Sequence, residues 1–165
     1  YRTVIDLLDD YYLMFDVAPA GRLDRDTEGL VLLTNDGKLA HEIISPKKDV
    51  FKRYVAHVTG ELTDVSINQL EAGVEILDGN NDAFMTKPAK VKVLGPVDDL
   101  TAVEICITEG KFHQVKRMFA SVGCKVVYLK RLAIGGLELD ESLALGEYRE
   151  LTDKELDCLK AEATH

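Results

Sequence analysis

A chain of 165 residues, 46% hydrophobic, can bury one sizeable core. With no apolar run near the ~18 residues of a membrane span and no signal-like N-terminus, it reads as a single cytoplasmic domain without a membrane partner. Three scattered cysteines with no C-x-x-C pair argue against a disulfide framework or a zinc site, and a net charge of −9 sits badly with a nucleic-acid partner unless local segregation outweighs the total.

In chain order, Thr3 caps a short helix through Val4, Ile5, Leu7 and Leu8, and an apolar, irregular stretch follows until Pro19 ends it. A charged loop leads into a strand over 30–34. Asn35-Asp36-Gly37 is a turn, and 38–44 has helical spacing closed by Ser45-Pro46. A strand is expected over 51–59, then a helix capped by Thr63 or Asp64 that stops at Gly73. Residues 74–77, 89–94 and 101–108 read as strands parted by turns at Asp78-Gly79-Asn80-Asn81 and Gly95-Pro96. Phe112, Val115, Phe119 and Val122 form one helical stripe, with Gly123 where a C-cap belongs. A strand over 125–132, the Gly135-Gly136 break, a short strand over 148–151 and a helix from Thr152 or Asp153 to about Ala163 complete the pattern. Strands outnumber helices without alternating with them, which predicts an α+β fold with a mixed, mainly antiparallel sheet and flanking helices. The cysteines Cys106, Cys124 and Cys158 are expected to be buried as small apolar residues.

The charge is segregated. Lys47, Lys48, Lys52 and Arg53 face only Asp49 in one segment, and Lys111, Lys116, Arg117, Lys125, Lys130 and Arg131 occur in another with no acid. That permits a basic face on an acidic body, although charge runs are commonly no more than solvated faces.

The stretch from Gly21 to Leu30 carries five charged residues between two glycines, and the apolar run Leu30-Val31-Leu32-Leu33 follows at once, so a charged loop is delivered onto a buried strand. Asp24-x-Asp26-x-Glu28-Gly29 imitates the first half of a calcium loop, but the twelfth position is Asn35 and not a bidentate glutamate, which sets calcium aside. From the loop alone, Asp24 reads as a solvated turn residue rather than a catalytic group.

The same residues, Gly-Arg-Leu-Asp-x-x-Thr-x-Gly-Leu and then Leu33-Thr34-Asn35-Asp36-Gly37, resemble the catalytic motif of the RsuA/RluB-type ribosomal RNA pseudouridine synthases. The segment 46–60 with Lys52-Arg53-Tyr54 resembles that family's Ser-Pro…Lys-x-Tyr motif. Residues 109–119 resemble its Glu-Gly-(Lys/Arg)-x-x-Gln-Val-(Lys/Arg)-Arg-Met-Phe helix, and 127–136 its last motif. The resemblance as a whole runs from about Thr3 to the C-terminus.

The resemblance implies that Asp24 is the catalytic carboxylate, Lys116 its basic partner, Tyr54 the ring that stacks on uracil, and Leu129 the packing behind it. Without the family, Tyr54 and Leu129 would be core residues. It implies base flipping, with Arg22 filling the vacated space, and RNA contacts from Lys47, Lys52, Arg53, Lys111, Gln114, Arg117, Lys130 and Arg131. No cofactor and no metal are expected, because the isomerisation has no redox step. His113 reads as a polar helix residue or a backbone contact.

The expected substrate is ribosomal RNA or a ribosome assembly intermediate, met by a monomer. Lys116 and the Gly-Glu-Tyr-Arg-Glu-Leu-Thr ending favour the small-subunit (16S) branch. The large-subunit (23S) branch is the alternative, and a catalytically silent RNA-binding module and a carboxylate hydrolase stay open. An S4-like domain and a first strand usual in the family do not precede Tyr1, so 1–165 is expected to be the catalytic domain of a longer protein.

Overall fold

The computed structural model describes residues 3–21, 23–45, 50–111 and 113–163. Arg22, Lys47 and Phe112, named above, lie outside the described residues.

A single 3-10 turn over Val4–Leu7 is followed by α1 (Asp10–Leu13), β1 (Ala18–Pro19), β2 (Glu28–Gly29), β3 (Leu33–Thr34) and α2 (Gly37–Ile44). Next come β4 (Lys52–Thr59), α3 (Asp64–Ala72), β5 (Glu75–Leu77), β6 (Ala83–Met85), β7 (Lys90–Val97) and β8 (Leu100–Ile107). The chain closes with α4 (Gln114–Ser121), β9 (Lys125–Ile134), β10 (Leu137–Glu138) and α5 (Asp153–Ala163). The main sheet runs β10-β9-β4-β8-β7, antiparallel throughout, and β2 joins β9 in parallel. This is the α+β, mixed and mainly antiparallel architecture that the pattern predicts.

The caps of α3 fall where the sequence places them, and Asp36, read there only as part of a turn, caps α2. Asp36 accepts from the Leu39 N–H at 3.0 Å, Thr63 from the Ser66 N–H at 3.1 Å, and Gly73 ends α3 at φ +102°. Among the described residues no helix is long and apolar enough to cross a membrane.

Four expectations are corrected. The strand over 30–34 is divided between two partners: β2 lies on β9 while β3 pairs with β1, and Leu30 and Leu32 bridge them through Leu30 N–H to Arg131 C=O at 3.0 Å and Ala20 N–H to Leu32 C=O at 2.7 Å. Gly95-Pro96 is no turn but a bulged part of β7; the reversal falls at Asp98-Asp99, with Asp98 at φ +54°. Residues 148–151 form no strand, because their ties are side-chain ones: the Tyr148 hydroxyl accepts from the Asp9 N–H, Glu150 from the Tyr12 hydroxyl, and Arg149 pairs with Asp140 and Glu155. Of the cysteines expected to be buried, Cys124 is; Cys106 is only half-buried on β8, and Cys158 is exposed, since Leu159 takes the core-facing position of α5. The strand over 74–77 and the turn after it are found as β5 and its reversal, but their partner β6 was passed over in the sequence.

Two apolar clusters result. One packs α3 and α4 against β4 and β8 through Leu70, Met118, Phe119, Val58, Val103 and Ile105, all fully or almost fully buried. The other gathers Ala20, Leu32, Leu39, Ile43, Ile134 and Leu159 around the end of β9.

Candidate active site

A cleft of about 820 Å³ opens where the two clusters meet: Ile107, Val115 and Leu129 come from the first, Ala20, Ile43 and Ile134 from the second. The loop between β1 and β2 forms one wall. It is fixed at its far end by Gly29, at φ +111°, where a Cβ would lie 2.1 Å from the Arg131 carbonyl oxygen. Only glycine lets the loop come down against β9 so closely. Within it, the Thr27 N–H donates to the Asp24 carbonyl at 2.9 Å, closing a turn that puts Asp24 on the cleft wall with its side chain 29% exposed.

The opposing group comes from α4. Gln114, Val115, Met118 and Phe119 bury one stripe of this helix, which leaves Lys116 on a partly exposed face. The Lys116 Nζ stands 3.8 Å from Asp24 Oδ2, within ion-pair reach but beyond a hydrogen bond. Its direct contact is to Asp26 Oδ1, and that hydrogen bond holds the Asp26 carboxyl below the usual range. His113, in a left-handed conformation at φ +50° before α4, places Nε2 3.8 Å from Asp24 Oδ1.

The floor is made by β4 and β9. Lys52 and Tyr54 line the cleft from β4, as two-residue alternation requires; Leu129, Arg131 and Ile134 line it from β9. The change of step after Arg131 is a bulge at Leu132, seen in the register Arg53 to Ala133 and then Tyr54 to Arg131. The extra residue lets both Arg131 and Ile134 face the cleft. Lys52 is only 7% exposed and donates to the Thr108 carbonyl at 3.4 Å; burial, helped by the neighbouring Arg131, pushes its ammonium down to about 8. Arg131, also buried, donates from Nε to the Leu30 carbonyl at 2.8 Å.

The other residues singled out from sequence fall in different places. Lys111 lines the cleft with Nζ 4.5 Å over the Phe84 ring. Gln114 is buried and braces the wall, donating to Glu109 at 3.1 Å and accepting from the Lys111 N–H at 3.1 Å. Arg117 clamps the β5–β6 hairpin by donating to the Leu77 and Asp78 carbonyls. Arg53 is held by Glu104 at 2.9 Å and Glu138 at 3.0 Å, and Lys130 is half-buried opposite Glu28 in the sheet. The structure thus brings Asp24, Lys116, Tyr54, Leu129, Lys52, Lys111 and Arg131 to one region and places Arg53 and Arg117 in ion pairs and a clamp. Sequence reasoning missed His113, Arg25, Lys87 and Phe84 at this cleft. Only His113 carried a signal, standing three positions before Lys116 and so on the same side of the helix start.

This sheet topology, with a carboxylate on the cleft wall paired to an ammonium at its rim, is met by a matching family model: the family described as RNA pseudouridylate synthase covers residues 1–121, and the chain belongs to that family. It is 51% identical over 158 residues to a Bacillus subtilis (strain 168) protein named uncharacterized RNA pseudouridine synthase YtzG, covering 96% of this chain and 64% of that protein. It is 44% identical over 156 residues to ribosomal small subunit pseudouridine synthase A of Escherichia coli (strain K12), covering 94% of this chain and 64% of that one. A crystal structure of pseudouridylate synthase superposes with a TM-score of 0.83 at 44% identity, over 96% of this chain and 66% of the other. The chain therefore spans just under two thirds of the length of these relatives. A Cbf5-Nop10-Gar1 complex, at TM-score 0.60 and 15% identity over 81% of this chain and 46% of that one, shares the fold alone.

Proposed function

We propose that this chain carries the catalytic centre of a ribosomal RNA pseudouridine synthase that isomerises a uridine of small-subunit (16S) RNA. The observation that carries the reading is the Asp24 carboxylate on the wall of an 820 Å³ cleft, 3.8 Å from the Lys116 ammonium, with Tyr54 on the floor. The small-subunit assignment is supported by relatives that bear that name at 44% identity.

The reaction breaks the uridine N1–C1′ bond, turns the freed uracil and joins C5 to C1′; the hydrogen on C5 leaves as a proton and N1 gains one, so nothing is oxidised or reduced. A carboxylate meets this need either as a nucleophile or as a base at the ribose. Asp24 serves in either role as the carboxylate, with the Lys116 ammonium 3.8 Å away. Tyr54 offers a ring face for the uracil, and Leu129, 4% exposed, backs the floor. A base stacked in a helix cannot enter such a cleft, so the uridine flips out of the RNA. Lys52, Lys111, Gln114 and Arg131 supply basic and polar surroundings for the nucleotide in the cleft, and Arg22, Lys47, Arg53, Arg117 and Lys130 are the further candidates for contacts to the RNA strand. The partner in this reading is ribosomal RNA or an assembly intermediate in the cytoplasm. The protein acts as a monomer in this reading.

The test is release of tritium from C5-labelled uridine in 16S RNA, free and in assembling subunits. Wild type releases it and Asp24→Asn does not, while binding of RNA persists. Equal release by the two proteins overturns the reading.

A further inference from the structure

Thr27 carries a hydroxyl that the fold has isolated. In the parallel pairing of β2 with β9, Glu28 lies opposite Lys130 and Gly29 opposite Arg131. Alternation sends the Glu28 side chain to the face of the sheet turned away from the cleft, where the Tyr128 hydroxyl donates to it at 3.1 Å. Thr27, one residue earlier, therefore projects to the face shared by Leu129 and Arg131, and it lines the cleft. Its N–H is already committed to the Asp24 carbonyl at 2.9 Å. Its Oγ1 is shut off from solvent and has no hydrogen-bond partner.

A buried hydroxyl without a partner costs stability, and a valine of the same branched shape would avoid that cost. The free protein thus gains nothing from this oxygen. What the oxygen is for has to arrive with the substrate.

We propose that Thr27 is a specificity residue: on binding, its hydroxyl turns into the cleft and hydrogen-bonds the ribose 2′-hydroxyl of the target nucleotide, so that the site reads RNA and not DNA. This rests on the reading of Asp24 as the catalytic carboxylate. Asp24 acts at the sugar in either of its roles, as nucleophile or as base. Thr27 closes the same turn, so the sugar is the part of the nucleotide it meets, while the uracil lies over Tyr54 on the floor. Either hydroxyl can donate to the other, and one rotation about χ1 brings Oγ1 round from its buried position. The 2′-hydroxyl is also the group by which a protein tells the two nucleic acids apart at a single sugar.

The experiment has two arms on the full chain. Urea unfolding compares wild type with Thr27→Val, which is expected to unfold at no lower urea concentration, because no bond of the free protein is lost. Equilibrium binding is then measured in the Asp24→Asn background, which leaves the RNA unconverted. The probes are a 16S RNA fragment holding the uridine that wild type modifies and the same fragment with 2′-deoxyuridine at that one position. Adding Thr27→Val is expected to weaken binding of the all-ribose fragment about three- to tenfold and to leave binding of the deoxy fragment unchanged. Thr27→Ser in the same background keeps the preference for ribose. A lower urea midpoint in Thr27→Val would show the hydroxyl already bonded in the free protein. Equal weakening on both fragments would show a structural role, or one directed at the base. Either result, or full affinity of Thr27→Val for the all-ribose fragment, overturns the inference. Single-turnover tritium release from the all-ribose fragment by wild type and Asp24→Asn separates the two claims. If Asp24→Asn is inactive and the two fragments respond alike to Thr27→Val, only the role of Thr27 falls; if Asp24→Asn is active, the reading of Asp24 falls first.

Discussion

Lys52 is a cation kept under the floor of the cleft, and keeping it there costs stability. Its ammonium is lowered from 10.5 to about 8 by burial, helped by Arg131, which corresponds to roughly 3 kcal/mol. The sign follows from proton counting. Below pH 8 both folded and unfolded chains carry the proton and the penalty is full; between about 8 and 10.5 only the unfolded chain holds it, so stability rises with pH until the penalty is gone. Lys52→Met is therefore expected to be more stable than wild type in urea at pH 7, by an amount that shrinks to nothing above pH 10.5, and to be a poorer enzyme. A variant that is less stable at pH 7 would show that the bond to the Thr108 carbonyl outweighs the burial cost. The lysine was visible in the sequence as a basic residue two before a tyrosine. That it would be buried was not, because burial is decided by β8 and β9, the strands on either side of β4.

The elements show the same division between what a local pattern can dictate and what a neighbour imposes. Caps, the α2 and α3 boundaries and most of β4, β8 and β9 follow from residues within a turn of themselves. The split of the apolar run 30–34 does not, since Gly29 reads as a loop glycine until β9 is beside it. Gly29→Ala meets backbone at 2.1 Å in a conformation that favours glycine, and is expected to cost at least about 2 kcal/mol and to reduce turnover further by releasing the Asp24 loop. Denaturant unfolding beside tritium release measures both, and an unaltered turnover would show that the loop is held elsewhere. At the other end, α5 begins with a reciprocal cap, Glu155 N–H to Thr152 Oγ1 at 3.1 Å and Thr152 N–H to Glu155 Oε1 at 2.9 Å. Arg149 and this cap hold Glu155 down to about 2, so its contribution is complete above pH 4.5 and lost as pH falls through about 2. The stability difference between wild type and Glu155→Gln should be full at pH 6 and mostly gone by pH 2. A difference that does not change with pH would mean that the charge of Glu155 contributes nothing.

On the scale of the whole molecule, the site was legible as four separated motifs but its shape was not. The second cluster joins Ala20 to Leu159, residues from opposite ends of the chain, and nothing local in either announces the other. The acidic total of −9 hid a cleft whose cations come from the Asp24 loop, β4, β9 and the segment before α4. Because the cleft lies between two cores, damage to each core should have different consequences. Leu70, fully buried in the first cluster, does not line the cleft; Ile134, fully buried in the second, does. Truncating either to alanine removes a similar volume and is expected to cost about 2–5 kcal/mol. At a temperature where both variants remain folded, Leu70→Ala should keep wild-type turnover, because the vacancy is under α3. Ile134→Ala should lose turnover, because the vacancy opens beneath the floor where Arg131 and Tyr54 are set by the bulge in β9. Equal turnover in the two variants would mean that the strands alone, and not the seam between the cores, give the cleft its form.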